Sequence, residues 1–325
     1  MGPAWRSCDP VEVGLSISIV FRPICCIRSM DKPAHNPARA DLLLVVSAVS
    51  FGALPVFGRF AYAQGMNVQS LLATRFLLAG AILVVIALVR GSAMPKWGTL
   101  LMLVLLGAVG YAAQAAAYFN SIRYVPAAVT SILLYTYPVI VTVLSRPIYG
   151  VPLTRRRLLA LAAALAGAFL VASPRGGLRL EGVLLGLLSA VFYSAYILTG
   201  KRVLEDVDPW FATAVISISA GVAYAVFGVA SGSYAPPVNA TAWLAVLGLA
   251  LISTVVGAGA FLAGLRLTDP GRASLISTLE PVSTAILASL FFGELLGPSQ
   301  LAGGALVLVS VLAIARAPLE KARLA

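Results

Sequence analysis

The run SLISTLEPVSTAILASLFFGELLGPS, starting at Ser274, sets a carboxylate, Glu280, against a proline, Pro281, inside an otherwise apolar stretch, and closes near a second carboxylate, Glu294. An ionisable side chain at membrane depth is costly and normally faces a cavity or a partner. Glu280 therefore has two readings. It is a site that exchanges protons or takes a substrate amine, or it is structural, paired with Arg75 or capping backbone that Pro281 frees by removing one helix hydrogen bond. Arg75, within Thr74-Arg75-Phe76, is the only basic residue well inside an apolar segment. It either meets a substrate carboxylate or pairs with a neighbour or snorkels outward. Glu294 is expected to serve a loop or a helix cap.

Helical spacing groups further polar residues. Tyr111, Gln114 and Tyr118 share one face of a helix, as do Tyr193 and Tyr196 of another. Ser131, Tyr135, Pro138 and Thr142 stripe a third, and Ser277, Pro281 and Thr284 stripe the segment that carries Glu280. Tyrosines, hydroxyls and one amide around a midplane carboxylate would suit an amphipathic solute. Ordinary helix packing is the alternative, since small and hydroxylated residues are enriched where membrane helices meet.

The elements that hold these residues follow from composition. The 325-residue chain is 60% hydrophobic and 11% charged, with mean hydropathy +0.96; soluble domains carry about 25% charged residues. No acid, lysine, arginine or histidine lies between Asp208 and Arg266, room for two spans of about 20 residues each and a turn. Ten spans are expected, near 41–62, 68–89, 98–121, 125–146, 156–173, 182–200, 210–230, 241–265, 272–293 and 299–315. In lipid such segments must satisfy their backbone internally, so they are helices. With the N-terminus cytoplasmic, 18 Lys and Arg fall in inner segments and 4 in outer ones. The positive-inside rule then places both termini in the cytoplasm.

The net charge of +11 is read as basic loops rather than as a nucleic-acid surface, because no basic run carries interleaved aromatics. Cys8, Cys25, Cys26 and His35 all lie ahead of Asp41, so no thiol chemistry, histidine relay, metal or cofactor is expected of the apolar body. That leader, 1–40, is expected to be disordered, and a start at Met30 would remove most of it. Residues 316–325 read as a cytoplasmic tail. Asn239-Ala240-Thr241 matches a glycosylation sequon and is taken as chance.

The chain also repeats. Laid over one another without a gap, 118–150 and 261–293 align Arg123 with Arg266, Ser131 with Ser274, Pro138 with Pro281 and Gly150 with Gly293. Arg155, Arg156 and Arg157 have no basic counterpart in GELLGPSQ, which is what opposite insertion of two five-span halves requires. Inverted repeats of this kind belong to secondary transporters, whose substrate sites lie where the repeats meet.

LYTYPVIVTVLSRPIYG and LISTLEPVSTAILASLFFGE resemble the paired signature segments of the drug/metabolite transporter superfamily, in its ten-span EamA branch, over about residues 41–315. The mid-span Glu-Pro followed by Gly-Glu fits that pattern, as does Arg75; Gly150-Val151 departs from it, where the family often has Gly-Glu. The resemblance implies an all-helical fold of two inverted five-helix repeats, 41–173 and 182–315, in a prokaryotic inner membrane. It implies transport of a small solute, most often export of amino acids or related metabolites, by a monomer or homodimer working in the lipid bilayer. Pro55, Pro138 and Pro281 would permit helix bending, and coupling would be to protons through Glu280 or to nothing at all. A carrier of a lipid-linked intermediate and a non-transporting scaffold or sensor are the other readings. No Walker motif, nucleophile elbow or paired intramembrane aspartates support an ATPase or an enzyme.

Overall fold

In the computed structural model, residues 37–121, 123–125, 127–172, 179–293 and 297–316 are described, and these are helical almost throughout. The leader up to residue 36, Glu294 and residues 317–325 lie outside the described residues. The helices are α1 (Pro37–Ala63), α2 (Val68–Val89), α3 (Trp97–Ser121), α4 (Ala127–Leu134 and Tyr137–Tyr149) and α5 (Arg155–Ala172). They continue as α6 (Leu180–Val203), α7 (Pro209–Ala230), α8 (Ala240–Leu267), α9 (Pro270–Ile276 and Leu279–Phe292) and α10 (Pro298–Ala315). Among the described residues, nine are long and apolar enough to cross a membrane. The exception is α5, whose 18 residues begin with Arg155, Arg156 and Arg157.

Three helices are broken, each close to a proline. α1 breaks at Ala53 ahead of Pro55, α4 at Tyr135-Thr136 ahead of Pro138, and α9 at Ser277-Thr278 ahead of Pro281. Each proline falls in the first turn of the second piece, where its missing N–H costs nothing. Threonine hydroxyls reinforce the turn at two of the breaks, Thr136 donating to Leu133 O at 2.7 Å and Thr278 to Leu275 O at 2.6 Å, carbonyls that also accept those residues' backbone N–H groups. Both second pieces end on a left-handed glycine, Gly150 with φ 65° and Gly293 with φ 66°, a conformation in which a Cβ would be strained.

Two further irregularities were not expected from the sequence. α3 widens to a π-helix over Leu106–Tyr111 and α8 over Leu249–Ala258. Leu106 and Leu249 stand at the same offset in the chain as Gly150 and Gly293, so the repeat is visible in backbone irregularities as well as in residue types.

Bonds between helix ends fix the order of directions. At one end, Ser92 after α2 meets Asp208 before α7 at 3.2 Å, and Lys201 of α6 donates to the last carbonyls of α8, Leu265 at 3.0 Å and Arg266 at 2.9 Å. At the other, Ser121 of α3 donates to Gly182 O of α6 at 2.7 Å, and Gln300 of α10 to Val171 O of α5 at 3.3 Å. Asn239 lies at this second end. Its side chain caps α8 by accepting from Ala242 N at 2.8 Å and donates to Gln64 at 2.9 Å, a structural role for the residue of the chance sequon.

Several helix pairs pack with backbones nearly touching; a Cβ on Gly107 of α3 would run into Ile216 O of α7, and one on Gly52 of α1 would lie 3.0 Å from Thr284 N of α9. A Cβ on Gly167 of α5 would lie 2.6 Å from the carbonyl oxygen of Gly303 on α10, and one on Gly303 would lie 2.6 Å from that of Gly167. On α2 and α7, a Cβ at Gly80 would lie 2.5 Å from Ile218, and one at Gly221 would lie 2.9 Å from Leu77. Close approach through glycine is how membrane helices gain contact where no hydrophobic force drives them together.

Candidate functional site

The three breaks meet at a cavity of about 400 Å³. Leu54 and Pro55 reach it from α1, Tyr135 and Tyr137 from α4, and Glu280, Pro281 and Thr284 from α9. Tyr111, Gln114 and Tyr118 of α3, Arg75 of α2 and Tyr193 of α6 complete the inner wall. Among the described residues lining it, Glu280 is the one acid and Arg75 the one base.

The setting of Arg75 decides between its two readings. It is 2% exposed and turned inward. Its Nε donates to Thr254 Oγ1 at 2.7 Å, its guanidinium carbon stands 4.7 Å from the Phe76 ring centre, and the Tyr111 hydroxyl is within hydrogen-bonding reach. Thr254 lies within the π segment of α8 and Tyr111 ends that of α3, once more at the repeat offset. The wide turns thus bring repeat-related side chains onto the two sides of one cation. Thr254 completes its own bonding by donating to Leu249 O at 3.3 Å, one π turn back. π-bulges are frequent at functional sites.

Glu280 is half-buried, one residue before Pro281, with the Tyr135 hydroxyl as hydrogen-bond donor. Glu280 and Arg75 share the cavity, but among the described residues the direct ion pairs are elsewhere, Arg157 with Asp269 and Arg272 with Asp41. Both cavity charges are thus held by hydroxyl groups, not neutralised by each other.

A chain of rings runs from one side of the cavity, where Tyr135, Tyr137, Tyr193 and Tyr111 line it, into the packing behind it. Tyr135 meets Tyr137 at 6.4 Å, Tyr137 meets Tyr193 at 4.7 Å, and Tyr193 stacks on Tyr196 at 6.0 Å. Tyr196 then meets Tyr111 at 6.0 Å, Tyr111 meets Phe76 at 5.1 Å, and Phe76 stacks on Tyr224 at 6.3 Å. Edge-to-face and offset contacts of this kind rigidify an apolar wall while leaving hydroxyls to face polar groups. Two other polar residues are partly held by neighbours, Gln114 donating to Ser189 at 3.1 Å and Tyr118 bonding Ser131 at 2.8 Å.

Of the residues singled out from sequence, Pro138, Thr142, Ser277 and Tyr196 do not reach the main cavity. Pro138 is buried beside the α4 break, and Ser277 donates to Ala273 O at 3.0 Å. Tyr196 lines instead a smaller space of about 30 Å³ behind Arg75, with Tyr111, Tyr193, Thr213 and Ser217. Sequence reading missed Tyr137, Thr254 and Gln300. Tyr137 follows the break, and the interrupted turn rotates it into the face that an unbroken helix would give to Ser131 and Tyr135.

The profile of the EamA-like transporter family matches the chain twice, over residues 38–173 and 180–316. An uncharacterized transporter of Archaeoglobus fulgidus is 28% identical over 277 residues, 84% of this chain and 94% of the relative. The uncharacterized transporter YcbK of Bacillus subtilis is 27% identical over 83% of this chain and 90% of its own length. The uncharacterized inner membrane transporter YedA of Escherichia coli is 28% identical over 73% and 78%. A solved crystal structure shares the fold at a TM-score of 0.75 and 19% identity, covering 85% of this chain and 96% of the other. The chain is a multi-pass membrane protein and belongs to the EamA-like transporter family.

Proposed function

We propose that this protein is a secondary carrier that exports a small amphipathic solute, an amino acid or a related metabolite, by alternating access. The observation that carries this is the cavity of about 400 Å³ at the meeting of three broken helices, with Glu280 and Arg75 on its wall. Discontinuous helices around a midplane site are the usual construction of secondary transporters. The volume is near the low end of small-molecule pockets, about 300–1,000 Å³. It suits a single metabolite better than a lipid-linked intermediate. An ammonium group would pair with Glu280, a carboxylate with the free side of the Arg75 guanidinium, and an apolar side chain with the tyrosine wall.

The two stretches matched by the family profile are read as inverted five-helix repeats, with α5 as a span despite its arginines and both termini in the cytoplasm. The matched breaks, the matched π segments and the distribution of Lys and Arg support that reading. Glu280 would be the coupling carboxylate, releasing solute in exchange for a proton.

The test is efflux of radiolabelled amino acids from proteoliposomes, with and without a pH gradient, for the wild type and Glu280→Gln. Movement of a solute that the gradient accelerates only in the wild type supports a proton-coupled carrier. Equal movement by both proteins makes transport passive and Glu280 structural. No movement across the panel sinks the amino-acid reading.

A further inference from the structure

Among the described residues, the cavity lining extends toward one end of the protein. Its outer lining comes from Phe119 near the end of α3, Ala172 at the end of α5, Ala288 in the second piece of α9 and Gln300 at the start of α10. On the opposite side the floor is dry: Leu44, Val141, Ile197, Leu265 and Ile276 are all fully buried. Beyond that layer, at the end where α1 begins and α10 finishes, stands a contiguous set of charges. Arg157 of α5 clasps Asp269 with two bonds of 3.1 and 3.0 Å. Asp269 caps α9 by accepting from Arg272 N at 2.9 Å. Arg272 in turn clasps Asp41 of α1 at 2.8 and 2.7 Å and donates to Ala315 O of α10 at 2.9 Å.

These are not loop charges in water. Arg157 is 6% exposed and Arg272 is 2% exposed. A Cβ on Gly271 would lie 3.1 Å from Asp269, 3.3 Å from Arg157 and 3.4 Å from Thr142 of α4, so α4 and α5 press directly on the first piece of α9. One connected set of bonds therefore ties α1, α5, α9 and α10 together below a cavity that opens the other way.

We infer that the Arg157–Asp269 and Arg272–Asp41 pairs are the latch of the inner gate, closed in this structure and parted when the cavity opens toward the chain termini. Charge pairs suit a latch for a physical reason. Formed in a dry environment they roughly break even against hydration, and when parted each group is taken up by water that enters with the opening. An apolar seam of the same extent would penalise the open state in proportion to its area. The short first piece of α9, set off by the break at Ser277-Thr278, carries Arg272, is capped by Asp269 and is the movable part. The inference rests on the alternating-access reading but concerns which groups hold one state closed.

The test is side-specific labelling of the full chain in membranes, with Cys8, Cys25 and Cys26 replaced by serine. One reporter is Val141→Cys in the dry layer, and the other is Ala288→Cys on the cavity wall; both meet an impermeant maleimide added from either side. With the latch intact, the Val141→Cys thiol is inert from both sides and the Ala288→Cys thiol reacts from the mouth side. Arg157→Met leaves Asp269 charged without its partner. It should raise labelling at position 141 from the terminal side about tenfold or more, as a shift of about 1.4 kcal/mol would, and lower labelling at 288 from the mouth. Arg157→Met with Asp269→Asn removes the orphaned charge, keeps the helix cap and should return both rates toward the wild type. If the single variant does not fold, Asp41→Asn carries the same expectation for the second pair. Labelling unchanged by either single change, or equal in the single and double variants, overturns the latch. The readout needs no solute, so its failure leaves the efflux result standing, and failure of efflux leaves the labelling result interpretable.

Discussion

Thr254→Val tests whether Arg75 is held as the geometry says. Valine nearly matches threonine in shape, so the change deletes a hydroxyl without opening a void. The hydroxyl accepts from Arg75 Nε at 2.7 Å and donates a longer bond of 3.3 Å to Leu249 O. Losing a hydrogen bond to a charged group, with the charge left buried, costs about 1.5–3 kcal/mol. The space of about 30 Å³ behind Arg75 can admit about one water, which puts the expected cost toward the lower half of that range. Arg75→Met removes the charge together with its desolvation penalty and leaves Thr254 still bonded to Leu249. Its cost is the lost bond to the Tyr111 hydroxyl, the lost contact with Phe76 and nearby packing, about 1–3 kcal/mol. In that background Thr254→Val orphans nothing and should cost under about 0.5 kcal/mol, so the two changes should couple by about 1–2 kcal/mol. Reversible unfolding by titrating detergent-solubilised protein with SDS, over the four proteins of the cycle, measures this directly. The expected coupling exceeds the average of about 0.6 kcal/mol for hydrogen bonds between membrane helices. Additivity of the two changes within about 0.5 kcal/mol would falsify the idea that Thr254 anchors the arginine.

Glu280→Gln should weaken equilibrium binding of an amine-bearing substrate by about tenfold to a hundredfold, the worth of one charge-assisted bond of about 1.5–3 kcal/mol; unchanged affinity in a filter-binding or calorimetric titration would assign the amine elsewhere. Asn239→Ala removes the α8 cap and its bond to Gln64, and should cost about 1 kcal/mol of stability in thermal unfolding without altering solute affinity. Gly303→Leu drives a side chain into the Gly167 carbonyl, where a Cβ alone would be 2.6 Å away. Overpacking by about 1–3 kcal/mol should show as a lower midpoint or misassembly on size exclusion, and a protein of wild-type stability would contradict the close crossing of α5 and α10. Pro281→Ala restores an N–H beside the α9 break; efflux should slow while folding is retained, and an unaffected rate would mean the break is not part of the motion.

The polar residues of the cavity wall were largely legible because they stand against an apolar background. Glu280-Pro281 marked both a wall residue and a break, and Arg75 marked the one base on that wall. What could not be read was how they are held. Thr254 is one hydroxyl among many in an apolar run, and nothing in its neighbourhood announces a π turn; only the fold brings it to Arg75. Tyr137 was missed because helical periodicity was carried through a break that resets it. Tyr196 is expected at the cavity from its spacing to Tyr193, yet the two rings stack and Tyr196 borders only the smaller space behind Arg75. The basic residues at the Asp41 end were legible as charge and not as structure: Arg157 and Arg272 counted toward orientation, while their partners Asp269 and Asp41 lie 112 and 231 residues away in the chain.

The glycine crossings carry a mechanical consequence. α2 with α7, and α5 with α10, each join one helix from residues 38–173 to one from 180–316. With a carbonyl or a branched side chain already occupying the place of a Cβ, neither pair has slack for sliding or for a wedge of lipid or water. Gly107 of α3 against α7, Gly52 of α1 against α9 and Gly264 of α8 against α1 add crossings of the same kind, so the two matched stretches are joined by close glycine contacts at several places. Under the proposed alternating access, bending then falls inside α1, α4 and α9, whose backbones are already interrupted, and not between the matched stretches as whole blocks. On that proposal, the stretch of chain that repeats and the part that moves are different units.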